Sequence, residues 1–372
     1  MERLECEVAI VGGGIMGASA ALHLQKLGRK AALLERGFIG AQASGVNFGN
    51  IRQQNRYLPQ LPLSMRAREI WGRLEKLVGE DCEFAPLGHL MVAYDEADMA
   101  KLESWAEGAA HYGLAAELIG RNALPARFPW LGRDPVGASF VAADGHANPR
   151  LVAPAFGRAA RAAGAEVREH CEVTTIVKDG HHFLLETAGG FSVRADSLLN
   201  AAGAWGDRIA AAFGEPVPLT HLGPLVGVTE PVPYFLPPTV GAADGSVYVR
   251  QVRRGNIVFG GGPRTPLELD ERFARVVPQC LKEQFARLQR LIPALGHLQL
   301  IRSWSGVEGF LPDMIPVMGP SATTPGLFHA FGFCGHGFAL GPAVGAVMAE
   351  LIATGKSETP IADFTIARFA KS

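Results

Sequence analysis

The fold is set by one stretch, Val8-Ala9-Ile10-Val11-Gly12-Gly13-Gly14-Ile15-Met16-Gly17, in which an apolar run breaks into glycines and then resumes. The run from Cys6 to Val11 has the near-continuous apolar character of a strand buried on both faces, as in a parallel sheet. Gly12, Gly14 and Gly17 form the pattern G-x-G-x-x-G. The first glycine permits a tight turn, the second lets the backbone approach phosphates, and the third lets helix and strand pack closely.

A helix and a second strand follow this turn. The helix is predicted from Ile15 to Leu27 with Gly28 at its C-terminal cap, so its N-terminus would offer N–H groups and partial positive charge to a pyrophosphate. The apolar strand Lys30–Leu34 ends at Glu35, where a carboxylate would grip a ribose diol. The same charge would repel a 2′-phosphate, which disfavours NADP.

Composition bounds the class of protein. The 372 residues are 48% hydrophobic and 19% charged, which indicates a globular chain of one to three domains. The net charge of −1 provides no basic excess for nucleic acid. Five scattered cysteines without C-x-x-C spacing indicate a reducing compartment, and no metal site is predicted. Since neither a membrane-length apolar run nor a signal segment is recognised, we expect a cytoplasmic protein without a transmembrane segment.

Periodicity and turn signals predict the later elements. Helices are predicted over Pro62–Val78, Glu96–Tyr112, Leu151–Ala163, Arg272–Leu291 and from Pro342 to Ala353. Strands are predicted over Gly88–Ala93, Glu166–Arg168, Cys171–Val177, Phe183–Thr187, Phe191–Arg194, Ser197–Trp205, Leu225–Thr229, Ser246–Gln251, Asn256–Gly260 and Gly326–Phe331. His146 lies in a turn, and His181 and His182 in a hairpin; all three are expected to be solvated.

The segment from Gly37 to Arg56 is too long and too rich in Gly, Asn, Gln and Ser for an ordinary connection. Its small and neutral polar residues suit a flat polar heterocycle with a hydroxylated chain: Ser44, Gly45, Asn47, Gly49 and Asn50. The alternative is a solvated surface loop.

Several motifs in the same order give the chain a resemblance to a known family. They are Val11 to Gly17 with Glu35, Ser44 to Asn50, Asn200-Ala201-Ala202-Gly203-Ala204-Trp205, Trp304-Ser305-Gly306, Pro312-Asp313, Pro316-Val317-Met318-Gly319, and Gly332 to Gly337. The chain resembles, over essentially its full length, the D-amino-acid oxidase and glycine oxidase family of FAD-dependent oxidoreductases. Within that family it is most similar to the flavin-bearing β-subunits of sarcosine oxidase, opine oxidase and hydroxyproline dehydrogenase.

The resemblance implies an α/β fold: a discontinuous Rossmann-like FAD-binding domain of the glutathione-reductase type, with an inserted α+β substrate domain on an antiparallel sheet. The FAD-binding domain is assigned to 1–85, 145–215 and 305–372, and the substrate-binding domain to 86–144 and 216–304.

The resemblance also implies the FAD site. The pyrophosphate would lie on Gly12 to Gly17, the adenosine ribose on Glu35 and the adenine near Val173, with the loop of Ser44 to Asn50 along the ribityl chain and the isoalloxazine. The implied cofactor residues are Gly12, Gly14, Ile15, Met16, Gly17, Glu35, Arg36, Ser44, Gly45, Asn47, Gly49, Asn50, Val173, Ala202, Gly203, Trp205, Gly332, Gly335, His336 and Gly337. The loop of Gly335, His336 and Gly337 and the helix beyond it would face the pyrimidine edge of the flavin, where a helix N-terminus stabilises negative charge.

The implied reaction is hydride transfer from a carbon next to a neutral amine to flavin N5, giving an imine that water hydrolyses. Because the flavin carries the chemistry, no side-chain acid or base is strictly needed, and the catalytic residues are unknown.

One position departs from the family pattern. Where family amino-acid oxidases carry an arginine or a tyrosine that holds the substrate carboxylate, this chain has Glu308. Either another cation, Arg250, Arg302 or Arg52, takes that role, or the substrate presents a cationic group to Glu308. Asn50 is a further candidate for binding substrate. Glu308 could instead pair with Arg302.

Three functions remain open. The first is an FAD-dependent oxidase or dehydrogenase of a secondary amine or D-amino acid, acting alone. The second is a flavin-carrying subunit of a hetero-oligomer that passes electrons to a partner. The third is an FAD enzyme of hydroxy acids or modified RNA, with the neutral charge opposing RNA. His336 and Cys334 leave covalent attachment of FAD open.

Overall fold

The computed structural model describes residues 3–267 and 274–370. In chain order, the helices α1 to α10 span Ile15–Lys26, Ala43–Val46, Leu61–Gly72, Leu74–Val78, Glu96–Ala110, Leu124–Arg127, Pro149–Ala162, Gly206–Ala212, Pro278–Leu291 and Gly337–Thr354. The strands β1 to β21 span Arg3–Val11, Ala31–Leu34, Asn50–Ile51, His89–Ala93, Glu117–Gly120, Gly137–Val141, Gly145–His146, Glu166–Arg168, Val173–Asp179, His182–Thr187, Ser192–Asn200, Thr220–Gly223, Leu225–Pro231, Thr239–Ala242, Tyr248–Gln251, Asn256–Gly260, Thr265–Pro266, Leu300–Ser305, Glu308–Phe310, Val317–Pro320 and Leu327–Phe331.

The first sheet contains the sequence-predicted turn. Its main path runs β20-β21-β11-β1-β2-β8, and β1 pairs in parallel with both β11 and β2. Both faces of β1 are covered. Ile10 packs among helices α1, α7 and α10, whereas Ala9 packs on the opposite side with Phe183 of β10. Burial on both faces explains why the run reads as continuously apolar.

The second sheet has the order β18-β13-β16-β15-β14-β4-β6-β5, and its pairs are antiparallel except for β14 with β4. Its strands come from residues 89–141 and 225–305. Leu288 and Leu291 of α9 pack against one face of this sheet together with Val249 and Phe259. A parallel Rossmann-like sheet beside a mainly antiparallel one confirms the predicted fold class.

Helix α10 packs closely against α1 through a row of glycines. A Cβ added to Gly341 would lie 2.5 Å from Ile15 Cγ2, and one added to Gly345 would lie 2.4 Å from Ser19 Cβ. Met16 Cε lies 2.8 Å from the corresponding Cβ position at Gly337. The contacts advance in the same direction along both helices, so their N-termini lie side by side.

The predicted start of α10 at Pro342 is wrong, because the helix begins at Gly337 and Pro342 lies inside it. Proline lacks only one N–H, and the carbonyl of Pro342 accepts a hydrogen bond from Ser19 Oγ at 3.0 Å. The pattern of Pro at the start and Gly just past the end therefore predicts the end of the helix at Gly355 correctly but not its start.

Other predicted boundaries also change. Phe191–Arg194 and Ser197–Trp205 contribute to one strand, β11, which ends at Asn200. The helix predicted over Pro62–Val78 is broken at Arg73 into α3 and α4. The helix predicted from Arg272 begins at Pro278, with residues 272 and 273 outside the described part of the chain. The irregular segment 37–56 contains the short α2 and β3.

Helix α10 also corrects the expectation that no apolar run reaches membrane length. Its 18 residues have a mean hydropathy of 1.5, which satisfies the length and composition of a membrane span. However, 72% of it is buried inside the protein, as in the core helix of a globular fold. It is the one helix of this kind in residues 3–267 and 274–370.

Candidate active site

The turn between β1 and α1 is shaped by its glycines. Gly12 has φ +109°, and a Cβ there would lie 2.4 Å from the carbonyl oxygen of Ala201. A Cβ on Gly17 would lie 2.0 Å from the carbonyl oxygen of Gly12. Gly14 has more room, since the nearest atom to its Cβ position is Ser44 Oγ at 3.1 Å. The first and third glycines therefore close the turn, and the second leaves its outer surface open.

A cavity of about 550 Å³ lies beside this turn, a size typical of sites for small ligands. It brings together many of the residues predicted to bind the cofactor: Gly12, Gly14, Glu35, Arg36, Ser44, Val173, Ala202, Gly203 and Trp205. Residues 45–50 and 332–337 are not among its lining residues. Ile15, Met16 and Gly17 lie in the first turn of α1, directly behind the lining glycines.

Glu35 lies at the end of β2 and is held by the backbone. Its Oε2 accepts a hydrogen bond from the N–H of Gly13 at 2.7 Å, and its Oε1 accepts one from Gly37 at 2.7 Å. Each carboxylate oxygen keeps further acceptor capacity for ligand hydroxyls. The guanidinium of Arg36 lies 3.7 Å from the centre of the Trp205 ring, and both residues form a wall of the cavity.

The start of α1 fits a dinucleotide pyrophosphate. The N-cap residue is Gly14, which has no side chain to cap the helix, and the first turn contains no acidic residue. The N–H of Ile15 donates to Ser44 Oγ at 2.9 Å. The N–H groups of Gly13 and Ile15 are thus engaged by Glu35 and Ser44, and the helix end adds its partial positive charge, with no acidic residue in its first turn.

A buried polar network holds the turn after β11 at the far side of the cavity. Asn200 Oδ1 accepts from the N–H of Ala202 at 3.3 Å, and its Nδ2 donates to the carbonyl of Gly206 at 2.7 Å. Glu215 Oε2 lies 3.0 Å from His329 Nε2, whose other ring nitrogen lies 3.2 Å from Asn200 Nδ2. Burial acts to raise the pKa of Glu215, but hydrogen bonds from His329, Ser321 and the N–H of Ala322 outweigh it and lower the pKa. No local pattern identifies His329 and Glu215, because His329 meets Asn200, and Glu215 meets His329, only in the folded chain.

The loop from Ser44 to Asn50 is organised by Asn47. Its Nδ2 donates to the carbonyls of Ala43 and Ser44 at 2.9 and 2.8 Å, and its Oδ1 accepts from the N–H of Gly49 at 2.7 Å. A Cβ on Gly45 would lie 2.2 Å from the carbonyl oxygen of Gly40. Both residues therefore shape the loop itself.

Asn50 and His146 form a two-stranded pair, β3 with β7. His146 is only 5% exposed, and its Nδ1 lies 3.3 Å from Thr239 Oγ1. The expectation that His146 is a solvated turn residue is therefore wrong. Its burial comes from pairing with a strand nearly a hundred residues away, which no local pattern reveals.

Behind Asn50 lies a second buried network. His89 Nδ1 donates to Gln54 Oε1 at 2.7 Å, which leaves His89 Nε2 to accept from Asn50 Nδ2 at 3.4 Å. The backbone N–H groups of Gln53 and Gln54 donate to the Asp144 carboxylate at 2.9 and 3.1 Å. Burial holds the pKa of His89 well below its usual value, so the ring is neutral. Among the described residues, buried Asn50 Oδ1 has no hydrogen-bond partner, which leaves an acceptor available.

A polar cluster lies at the loop that precedes α10; it consists of Arg52, Tyr248, Arg264, Glu308 and His336. A Cβ on Gly335 would lie 3.6 Å from Glu308 Oε2 and 3.7 Å from Arg264 Nη2. Arg52 Nη2 donates to His336 Nε2 at 3.2 Å. Burial and nearby arginines hold the pKa of His336 well below its usual value, so His336 is neutral.

Burial raises the pKa of Glu308 to about 7, against the lowering effect of Arg264. The cation next to Glu308 is thus Arg264, and the pairing with Arg302 is wrong. Arg302 is exposed on β18, with its guanidinium 5.9 Å from the centre of the Trp304 ring. Tyr248 also belongs here, since burial and Glu308 raise the pKa of its phenol to about 12.

Sequence reasoning missed Arg264 and Tyr248. The available signals were the run Gly260-Gly261-Gly262-Pro263 before Arg264, and the alternation along β15 that puts Tyr248 on the same face as Arg250.

Arg250 occupies a different position from the polar cluster. Its Nε donates to the carbonyl of Phe48 at 2.8 Å, and its Nη2 lies 2.9 Å from the Cβ position of Gly49. Burial lowers its pKa to about 10 against the opposing effect of Glu83. Arg250 therefore supports the loop of Ser44 to Asn50 from below.

Cys334 lies in the loop between β21 and α10. Its thiol donates to the carbonyl of Gly332 at 3.1 Å, and its sulfur accepts from the N–H of Leu311 at 3.3 Å. Burial raises the pKa of this thiol to about 11, which keeps it protonated at neutral pH. Both contacts hold the loop, and a protonated thiol is a poor nucleophile.

Comparison with known proteins extends over nearly the whole chain. The family model described as "DAO: FAD dependent oxidoreductase" matches residues 7–351. The glycine oxidase of Geobacillus kaustophilus (strain HTA426) is 28% identical over 371 residues, covering 97% of each chain. One of the subunits of the opine oxidase of Rhizobium meliloti is 29% identical over 380 residues, covering 98% of each chain. The crystal structure of L-proline dehydrogenase from P. horikoshii matches with a TM-score of 0.92 at 27% identity, covering 99% of this chain and 98% of that one.

Proposed function

Since the chain belongs to the DAO family of FAD-dependent oxidoreductases, we propose that it oxidises the C–N bond of a small amine or amino acid, of the secondary-amine or D-amino-acid class. The observation that carries this proposal is the polar cluster beside the N-terminus of α10. It combines cations for a carboxylate, Arg52 and Arg264, with an acid, Glu308, that suits an amine. The names of the relatives, glycine oxidase and opine oxidase, support the same substrate class.

The cofactor site that we propose has two parts. FAD, when bound, supplies the hydride acceptor. Residues 1–85, 145–215 and 305–372 would form its domain, with the pyrophosphate at Gly12, Gly14, Ile15, Met16 and Gly17, and the adenosine at Glu35, Arg36 and Val173. Ala202, Gly203 and Trp205 would lie beneath the nucleotide, and Ser44, Gly45, Asn47, Gly49, Asn50, Gly332, Gly335, His336 and Gly337 would surround the remainder.

Residues 86–144 and 216–304 would form the substrate domain, which contributes Tyr248 and Arg264 to the site. Arg52 and Arg264 would orient the carboxylate, and the rings of Phe48 and Tyr248, 4.5 Å apart, would limit access of water to the reacting carbon. The positive N-terminus of α10 would stabilise negative charge that develops beside it.

The test is the anaerobic visible spectrum of the purified flavoprotein before and after addition of D-amino acids, sarcosine, proline derivatives and opines. Bleaching of the oxidised flavin bands by members of one class supports the proposal and names the substrate class. Bleaching by hydroxy acids alone would contradict it.

The second candidate is a flavin-carrying subunit that needs a partner. The edge strand β18 favours it, because Leu300 and Ile301 are 36% and 60% exposed on a strand that pairs on one side, with β13. An exposed apolar edge is typical of an interface. Reduction by substrate without reoxidation by oxygen, together with capture of a second polypeptide by the native protein from its source cells, would support this candidate. Rapid reoxidation by oxygen in the isolated chain would contradict it.

A further inference from the structure

We propose that Glu308 is a catalytic residue that takes the proton from the substrate's ammonium group, so that the amine is neutral when its carbon gives up hydride. This inference rests on the proposed function. It adds a side-chain base to a reaction for which the family resemblance requires none.

The position of Glu308 carries the inference. Strand β19 holds it opposite Leu222 of β12 and directs Oε2 to the loop of Gly335, next to the N-terminus of α10. Within residues 3–267 and 274–370, no side chain or backbone group donates a hydrogen bond to this carboxylate, and no cation lies within 4 Å of it. A partly buried carboxylate with all its acceptor capacity unused can receive a donor from a ligand.

The groups around Glu308 fit a base rather than a permanent anion. Arg264 faces it from the connection between β16 and β17, Tyr248 from β15, and Cys334 and His336 from the loop before α10. Tyr248 and Cys334 are protonated, and His336 is neutral, so Arg264 is the one charged neighbour among these described groups. Burial keeps the pKa of Glu308 near 7, which lets the carboxyl both gain and lose a proton at neutral pH.

The proposed step balances without another reagent. One N–H bond of the ammonium breaks and an O–H bond forms on Glu308, while the electron pair of the broken bond stays on nitrogen. That lone pair then forms the C=N bond as hydride leaves the neighbouring carbon for the cofactor. Because Gly335 and Arg264 are exposed, Glu308 can return its proton to water.

The decisive experiment is the rate of anaerobic flavin reduction from pH 5 to pH 10 for wild type, Glu308→Gln and Glu308→Asp, with the best substrate from the spectral panel. The wild-type rate is expected to rise up to about pH 7 and then level off. Glu308→Gln is expected to be slower by about 10² to 10⁴ at pH 7. The rate of Glu308→Gln should rise about tenfold per pH unit, because only the substrate that is already deprotonated in solution can then react. Glu308→Asp keeps a carboxylate and should recover part of the rate.

Asp134→Asn makes the same carboxylate-to-amide change at an exposed ion pair with Arg290 and should behave as wild type. FAD content and thermal melting show whether each variant is folded. If Glu308→Gln reduces at the wild-type rate with the wild-type pH profile, the inference is overturned and the proposed function stands. If no amine reduces the wild-type flavin, both are overturned.

Discussion

The cavity beside Gly12 and the polar cluster beside Gly335 are built in different ways. The wall of the cavity formed by residues 11–44 is held by backbone hydrogen bonds, such as those from Gly13 and Gly37 to Glu35. The polar cluster joins side chains from separate segments between residues 52 and 336, and Glu308 has no hydrogen-bond donor among the described residues. The first region is a preformed receptor, and the second keeps its bonding capacity for a ligand. Substitutions should therefore affect cofactor retention in the first region and reactivity in the second.

The largest effect is expected for Gly12→Ala. The added Cβ would lie 2.4 Å from the Ala201 carbonyl oxygen, in a residue with φ +109°. Backbone strain and overpacking each cost about 1 to 3 kcal/mol, so we expect a loss of about 2 to 6 kcal/mol in the free energy of unfolding, with loss of bound FAD. Thermal melting and FAD content per chain measure both. Gly164→Ala is the control for backbone strain without a steric clash, because Gly164 has φ +100° and the nearest atom to its Cβ position lies at 3.6 Å. An equal loss of stability in this variant would contradict the steric explanation.

Glu35→Ala should weaken FAD binding with little effect on the polar cluster. It removes the acceptor for Gly13 and Gly37, and hydrogen bonds to a charged group contribute about 1.5 to 3 kcal/mol, so an affinity loss of about 10- to 100-fold is expected. Titration of the apoprotein, followed by flavin fluorescence, gives the dissociation constant. Glu5→Gln, on the exposed part of β1, should bind FAD normally. If Glu35→Ala binds FAD with unchanged affinity, Glu35 does not contribute to cofactor binding.

Arg264→Leu tests the polar cluster through its pH dependence. Arg264 favours the charged form of Glu308, so its removal should raise the pKa of Glu308 above about 7. The carboxylate would then form only at higher pH, and the rate of flavin reduction at pH 7 should fall about three- to tenfold. A pH profile that stays in place, or moves to lower pH, would show that the two groups are not coupled.

The smallest effect is expected for Arg302→Gln. Arg302 is exposed on the edge strand β18 and lies away from the polar cluster. We expect KM and kcat to remain within about twofold of wild type, in line with the small energies of exposed charges. Steady-state kinetics with the preferred substrate measure this. A tenfold rise in KM would show that Arg302 contributes to substrate binding.

The contrast also explains what the sequence could predict. Strand β1, helix α1 and strand β16 follow from local periodicity and turn residues, and β16 has the predicted bounds Asn256–Gly260. The start of α10 is not predicted because the sequence alone does not show that Gly341 and Gly345 pack against Ile15 and Ser19 of α1. Glu308 stood out because it broke a family pattern. The glycines before Arg264 mark its loop, but they do not identify it as the neighbour of Glu308, because only tertiary folding brings a residue after β16 next to β19.

The interlocked pair α1 and α10 has a consequence for any experiment that varies pH. Two helix ends lie side by side because glycines of one helix admit the side chains of the other, and neither first turn contains an acidic residue. Their positive potential arises from peptide dipoles, which do not gain or lose protons between acidic and alkaline pH. The chain thus separates an anion-attracting surface that does not titrate from a reactive cluster that does. A pH profile of turnover then contains no contribution from titration of the two helix ends.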